Sequence, residues 1–334
     1  MMNSRWTGCG ALLLALLVGC ASDSESEKSL PSEVAKAPAG VAPNSNVAAD
    51  GRIPEALPLS GEPLYSPAKP AAEQAELEAQ VLAARKAAVA NPSDANAWIW
   101  YGRMQAAAGH FREALETFEV GVKKFPDDAK MYRHLGHRYI TVRKFAESLR
   151  ALEKSARLAE NMPDESEAPT KVGGAQIDTF KQNVYYHLGL VHFLLGHFER
   201  AAEAFTKCGE LAANVDSMCS AAHWTWVSLM RAQKIHQAKA LVATLPSPLE
   251  VVEYVAYRDL CLLYRGELDG DAHFAALDKA GVDYATFGNG LGQWHLANGR
   301  TERAREVFTA LAKADAWMAF GRICAEVELT RLSK

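Results

Sequence analysis

The sequence predicts an all-α superhelical solenoid of about six helix pairs plus a C-terminal capping helix, following a disordered N-terminal tether. Three observations predict it. Alanine, the strongest helix former and a poor strand former, supplies 58 of the 334 residues. From residue 71 onward, apolar and small residues fall at i, i+3, i+4 and i+7, the stripe of an amphipathic helix, and the stripe recurs 34 residues later. Eight of the fourteen prolines crowd instead into residues 21–70, where they interrupt any helical or strand period. A chain that is 49% apolar and 23% charged is neither wholly disordered nor a polytopic membrane protein. Its 36 Lys and Arg against 40 Asp and Glu leave −4, so it has no bulk attraction to nucleic acid.

Residues 1–19 hold one cation, Arg5, no acid, and the apolar run Ala11 to Val18, which is too short and wrongly flanked for a spanning helix. The run ends Leu17-Val18-Gly19-Cys20, which resembles the lipobox of bacterial lipoproteins. That resemblance implies cleavage before Cys20, lipidation of its sulfur, and anchoring by acyl chains alone. Ala21, standing where an Asp would retain such a protein at the inner membrane, favours an outer-membrane address facing the periplasm. Residues 20–70 then read as a lipidated, partly polyproline-II tether, within which Leu57-Pro58-Leu59 to Leu64-Tyr65 could dock on the folded body. A leading helix follows over 71–94, with acids early and bases late along the macrodipole.

Next come three regular helix pairs over 95–213. The first has Trp98, Tyr101, Gly102 and Gln105, then Ala114, Phe118 and Gly121. The second has Tyr132, Leu135, Gly136 and Tyr139, then Ser148, Leu152 and Ser155; the third has Tyr185, Leu188, Gly189 and His192, then Ala201, Phe205 and Cys208. A Gly on one helix and a small residue on its partner let two backbones approach while an aromatic or Leu fills the remaining space. Period and pattern together resemble tetratricopeptide (TPR) repeats. An acidic insertion, 161–178, separates the second pair from the third and is long for a compact array. Residues 214–313 carry three degenerate pairs, one entered at Ser247-Pro248-Leu249-Glu250, which has the form of a capping box. Residues 314–334 read as the capping helix an open solenoid needs, with one apolar face packed and its charges turned outward.

The tetratricopeptide resemblance implies that the first helix of each pair lines a concave groove. Carried onto this sequence, the groove-facing places include Asn96, Ile99 and Arg103; Lys130, Arg133 and His137; and Asn183, Tyr186 and Leu190. The groove is then basic at one end and apolar further on, suited to an acidic-apolar peptide or a partner helix. The chaperone carboxylate clamp is unsupported, because Ile99 and Arg103 stand where it needs Lys and Asn. His134, His137 and His187 fall at related places, but no third acidic ligand accompanies them, and no phosphate loop, nucleophile elbow or His-Glu-x-x-His is present. No catalytic residue, metal or cofactor is therefore expected. Cys208 and Cys219 end one helix and begin the next, so a bridge is conceivable beside the reading of two buried free thiols.

Leader, tether, array and final helix together resemble the NlpI-like envelope lipoproteins, whose members scaffold peptidoglycan hydrolases and a periplasmic protease. The resemblance covers roughly residues 95–329, including Tyr264-Arg265-Gly266-Glu267-Leu268 and the unit from Leu291-Gly292 to Phe308. It implies a non-enzymatic, membrane-anchored adaptor for envelope proteins or peptides, compatible with a homodimer. Two other readings stay open: a structural component of an outer-membrane machine of the pilus or β-barrel insertion type, and a metal-dependent enzyme built on the three histidines.

Overall fold

In a computed structural model, residues 53–59, 61–167, 175 and 177–334 are described. The signal peptide, Cys20 and the tether up to residue 52 lie outside them, as do residues 168–174 of the insertion. The described residues contain fourteen α-helices. The leading helix α1 is Ala71–Ala90. Six consecutive helix pairs follow: α2 (Ala95–Ala107) with α3 (Phe111–Lys124), α4 (Ala129–Thr141) with α5 (Phe145–Ala159), and α6 (Phe180–Leu195) with α7 (Phe198–Glu210). Then come α8 (Val215–Arg231) with α9 (Ile235–Thr244), α10 (Val255–Arg265) with α11 (Gly270–Ala276), and α12 (Val282–Ala297) with α13 (Thr301–Ala312). The last helix, α14, is Phe320–Leu332. None of the described helices is long and apolar enough to cross a membrane.

The seams are those the repeat pattern requires. A Cβ on Gly136 would sit 2.5 Å from Leu152, and one on Gly189 would sit 2.8 Å from Phe205, so each helix pair closes only because those side chains are missing. Phe118, Leu152, Phe205 and Phe308, the large partners in the seams of the first, second, third and sixth pairs, are all essentially inaccessible. Helix starts carry their own signals: Asp94, Asp128 and Asn214 accept from main-chain N–H groups of the first turn, and Thr179 with Gln182 forms a capping box.

Three segments depart from expectation. The first is the end of the tether. Residues 53–59 and 61–70 are not loose chain: Ala56 and Leu64 pair through an antiparallel bridge and are buried with Phe111 and Trp317. The Glu55 carboxylate accepts from the Arg112 N–H at 2.9 Å, and the Trp317 indole donates to the Tyr65 carbonyl at 2.7 Å. Two apolar side chains with a waiting aromatic pocket outweigh the local influence of proline, so the docking strip forms.

The second departure is the helix entrance at 247–250. Helix α10 begins only at Val255. Asp216 is the reason: its carboxylate accepts from the N–H groups of Val252, Glu253 and Tyr254 at 2.7–3.1 Å, holding that stretch open across the start of α8.

The third is α14. It covers α12 and α13 as a cap does, but its charges are not turned outward. Residues 321–328 are all buried, Arg322, Glu326 and Glu328 included. Helix α14 lies along the inner surface of the array, and Ile323, Cys324 and Val327 join the same apolar cluster as Ile140, Leu190 and Phe193. Gly321 admits this approach, since a Cβ there would overlap the Ala285 carbonyl of α12.

Candidate partner-binding groove

The inner surface is built from the first helix of each pair, and three pieces of the chain's own sequence occupy it. At the basic end the occupant is the insertion. Lys130 pairs with Glu165 at 2.6 Å, and Arg133 is ion-paired with Glu167, which also accepts from Asn183 Nδ2 at 2.6 Å. Asp164 caps the start of α6, accepting from the Lys181 N–H and the Thr179 hydroxyl. Lys130, Arg133 and Asn183 are thus brought together, and the acids that neutralise the two cations and accept from the amide come from the insertion.

Further along, the occupant is α14. Phe320 sits against His137, His187 and Tyr186 with ring centroids 5.1, 5.6 and 6.2 Å apart. The Tyr186 hydroxyl is tied to Tyr257 at 2.8 Å and accepts from the Trp224 indole at 3.0 Å. Leu190 is fully covered. Glu326 accepts from Arg143 Nε and Nη2 at 3.2 and 2.7 Å, and Glu328 pairs with Arg231 and Arg331 at 2.7 and 2.6 Å. Arg331 also donates to the last carbonyls of α6, those of Phe193 and Leu194. The third occupant is the docked strip, whose Leu59 N–H reaches Glu326 at 3.5 Å.

A magnitude decides whether this filling is loose or permanent. Burying Ile323 and Val327 alone contributes about 3–6 kcal/mol, and each buried ion pair, once formed, costs about 3–5 kcal/mol to break from one side. A weakly bound peptide cannot repay that sum. Helix α14 is therefore resident in the groove.

The histidines share this environment. Burial, reinforced by Arg133, Arg103 and Arg138, holds His134 well below its ordinary value, and burial with Arg138 does the same for His137. His187 is pulled down to about 3 by burial and Arg133. Arg133 donates to His134 Nδ1 at 3.3 Å, which fixes that nitrogen as the acceptor of a neutral ring. His137 and His187 face one another at 4.6 Å, and the His134 ring stacks on Phe118. No group of three or more His, Cys, Asp or Glu able to hold a metal ion occurs among the described residues.

The remaining predicted residues sit at the first repeat. Ile99 is buried with Trp98 and Met131. Asn96 is exposed, and Arg103 is half-buried, its guanidinium 5.3 Å from the ring centroid of Trp100. Trp100 is 42% exposed and is the one aromatic among the exposed large apolar side chains described. Sequence reasoning passed over it, together with Arg143, Trp317, Phe320, Glu326 and Glu328. One signal was available: Glu326 and Glu328 lie about 200° apart around a helix, so a single solvent-facing side cannot hold both.

The class this architecture defines is the tetratricopeptide-repeat solenoid, and residues 95–138 and 182–215 each match the tetratricopeptide-repeat family. Among solved structures, the chain is similar to YrrB, described as a TPR protein with an unusual peptide-binding site, at 16% identity over 72% of this chain and 96% of that one, with a TM-score of 0.42. It is similar to a tetratricopeptide repeat protein from Parabacteroides merdae at 15% identity over 78% and 94% of the two chains, with a TM-score of 0.45. It is also similar to MamA at 16% identity over 58% and 91%, with a TM-score of 0.39. No curated protein matches the chain.

Proposed function

We propose that this chain is a non-enzymatic adaptor, lipid-anchored at Cys20 in the bacterial cell envelope and facing the periplasm from the outer membrane, that gathers protein partners. The anchor and the address rest on the Leu17-Val18-Gly19-Cys20 signal, and the NlpI-like resemblance supports the choice of envelope partners. The observation that carries the binding reading is Trp100: it stands uncovered beside Asn96 and Arg103 on a repeat array whose groove is otherwise filled by the chain itself. Large, rigid aromatics beside an Arg are the residues from which interface hot spots are built. Partners dock on this mouth of the groove, on the face of α2, and leave α14 in place.

Affinity purification from crosslinked envelopes tests the reading, with wild type compared against Trp100→Ala with Asn96→Ala. Peptidoglycan hydrolases or proteases captured by the wild type and lost in the variant are the expected result. Secretin or barrel subunits would favour the assembly-component reading, and equal capture by both proteins would remove Trp100 from the interface. Cys20→Ala should abolish incorporation of a labelled fatty acid and release the protein from membranes; continued membrane retention would refute the anchor.

A further inference from the structure

Helices α8 and α10 bring two cysteines together that lie 42 positions apart in sequence. Cys219 and Cys261 are both fully buried, and the Cys261 thiol sits 3.7 Å from the Cys219 carbonyl oxygen, to which it donates. Cys208 and Cys219, for which the sequence left a bridge conceivable beside two buried free thiols, are free thiols here, as are all four described cysteines.

From this juxtaposition we infer that Cys219 and Cys261 are a disulfide-forming pair that staples α8 to α10 when the chain folds in an oxidising compartment. Only the source of the oxidant rests on the envelope reading; the pairing rests on the fold. With the Cys261 thiol already against the main chain of Cys219, closing to a sulfur–sulfur bond of about 2.05 Å is a side-chain movement between two helices that touch. The oxidant is the disulfide of a thiol oxidoreductase or of glutathione. One protein thiolate attacks a sulfur of that disulfide, forming a mixed disulfide and expelling the other sulfur as a thiolate. The second protein thiol loses its proton and attacks the first protein sulfur, forming the Cys219–Cys261 bond and releasing the remaining oxidant sulfur as a thiolate. Two electrons pass to the oxidant, and the two protons released are taken up by its two thiolates. Cys219 is the better first attacker, since the neighbouring Cys261 side chain lowers it while Cys219 in turn raises Cys261.

The staple falls where the array is least regular. The loop it closes contains α9, ten residues long, and the non-helical stretch tied to Asp216. Its role is to hold the degenerate fourth and fifth pairs in register.

The test uses the full chain in two arms. Purified protein is unfolded, reduced and refolded with glutathione disulfide, then alkylated and digested with trypsin without reduction. Cys261 falls in peptide 259–265 and Cys219 in peptide 208–231, which also carries Cys208. A cross-linked species of those two peptides, lighter by two hydrogens and retained in Cys208→Ser, is the expected result. Reduction should then lower the melting temperature by several degrees in the wild type and leave Cys261→Ser unmoved. Absence of the cross-link, or its loss in Cys208→Ser, overturns the pairing. In the second arm, protein is taken from cells with thiols trapped at lysis. A cross-link there supports export, whereas a refolded protein that cross-links beside a fully reduced cellular protein leaves the pair standing and counts against the envelope address.

Discussion

Glu326→Ala tests whether α14 is latched into the groove. The Glu326 side chain is 2% exposed and that of its partner Arg143 is 3% exposed. Arg143 reaches this place from a left-handed backbone position, φ 64°, at the turn between α4 and α5. It donates to Glu326 through two nitrogens, to the Thr141 carbonyl at 2.6 Å and to the Trp317 carbonyl at 3.0 Å, and it lies 5.4 Å from the centre of the Trp317 ring. Removing one partner of a buried ion pair costs about 3–5 kcal/mol because the other charge is left stranded. Here the two carbonyls and the indole still solvate the guanidinium, which places the loss near about 3 kcal/mol. At roughly 2–4 °C per kcal/mol, the melting temperature should fall by roughly 6–12 °C. Urea unfolding followed by circular dichroism measures the loss. The double variant Arg143→Met with Glu326→Leu should recover part of it, because it removes the stranded Arg143 charge and leaves only Arg322, 3.6 Å from Glu326, without its carboxylate. A loss below about 1 kcal/mol in Glu326→Ala, or a double variant worse than the single, would show that this pair is no latch.

Two other perturbations probe the interior. His187 and His223 are both deeply buried and titrate near 3 in the folded protein, against about 6.5 when unfolded, because burial penalises the charged ring. The unfolded chain therefore binds more protons between these values. Stability is fully present above about pH 6.5 and falls as the pH drops toward 3, by about 1.4 kcal/mol per pH unit for each ring. Melting temperatures should decline steadily from pH 7 to pH 5, with a shallower slope in His187→Gln; identical slopes would sink this assignment. Leu64→Ala should cost about 2 kcal/mol and open the strip over residues 53–66 to proteolysis while the helical content stays unchanged. Cleavage no faster than in the wild type would mean that the strip is not held by Leu64.

The repeat seams were legible because each is a local rule applied twice. Gly136 against Leu152 and Gly189 against Phe205 join helices adjacent in sequence, so the spacing of small and large residues states the contact directly. The course of α14 was not legible for the opposite reason. Its partners, Arg143 and Arg231, lie 183 and 97 positions away, and nothing in a period of 34 residues encodes a contact of that length. Acids on a helix ordinarily face water, and Glu326 and Glu328 were assigned by that rule. The groove was legible as a surface but not as an occupied one. Lys130 and Arg133 were seen as basic and residues 161–178 as acidic, yet their meeting depended on the insertion folding back through Ser166 and Thr179.

Helix α14 also changes the order in which the molecule can complete itself. A solenoid with neighbour contacts alone can fold from either end and unravel one unit at a time. Here α14, the last of the described helices, ties α4, α6, α8 and α12 together, and such distant contacts are the slowest to form. Until residue 332 is available, the inner walls of the nascent array expose Ile140, Leu190 and Phe193 to whatever meets them first. Loss of residues 320–334 should therefore do more harm than loss of the first helix pair, 95–124.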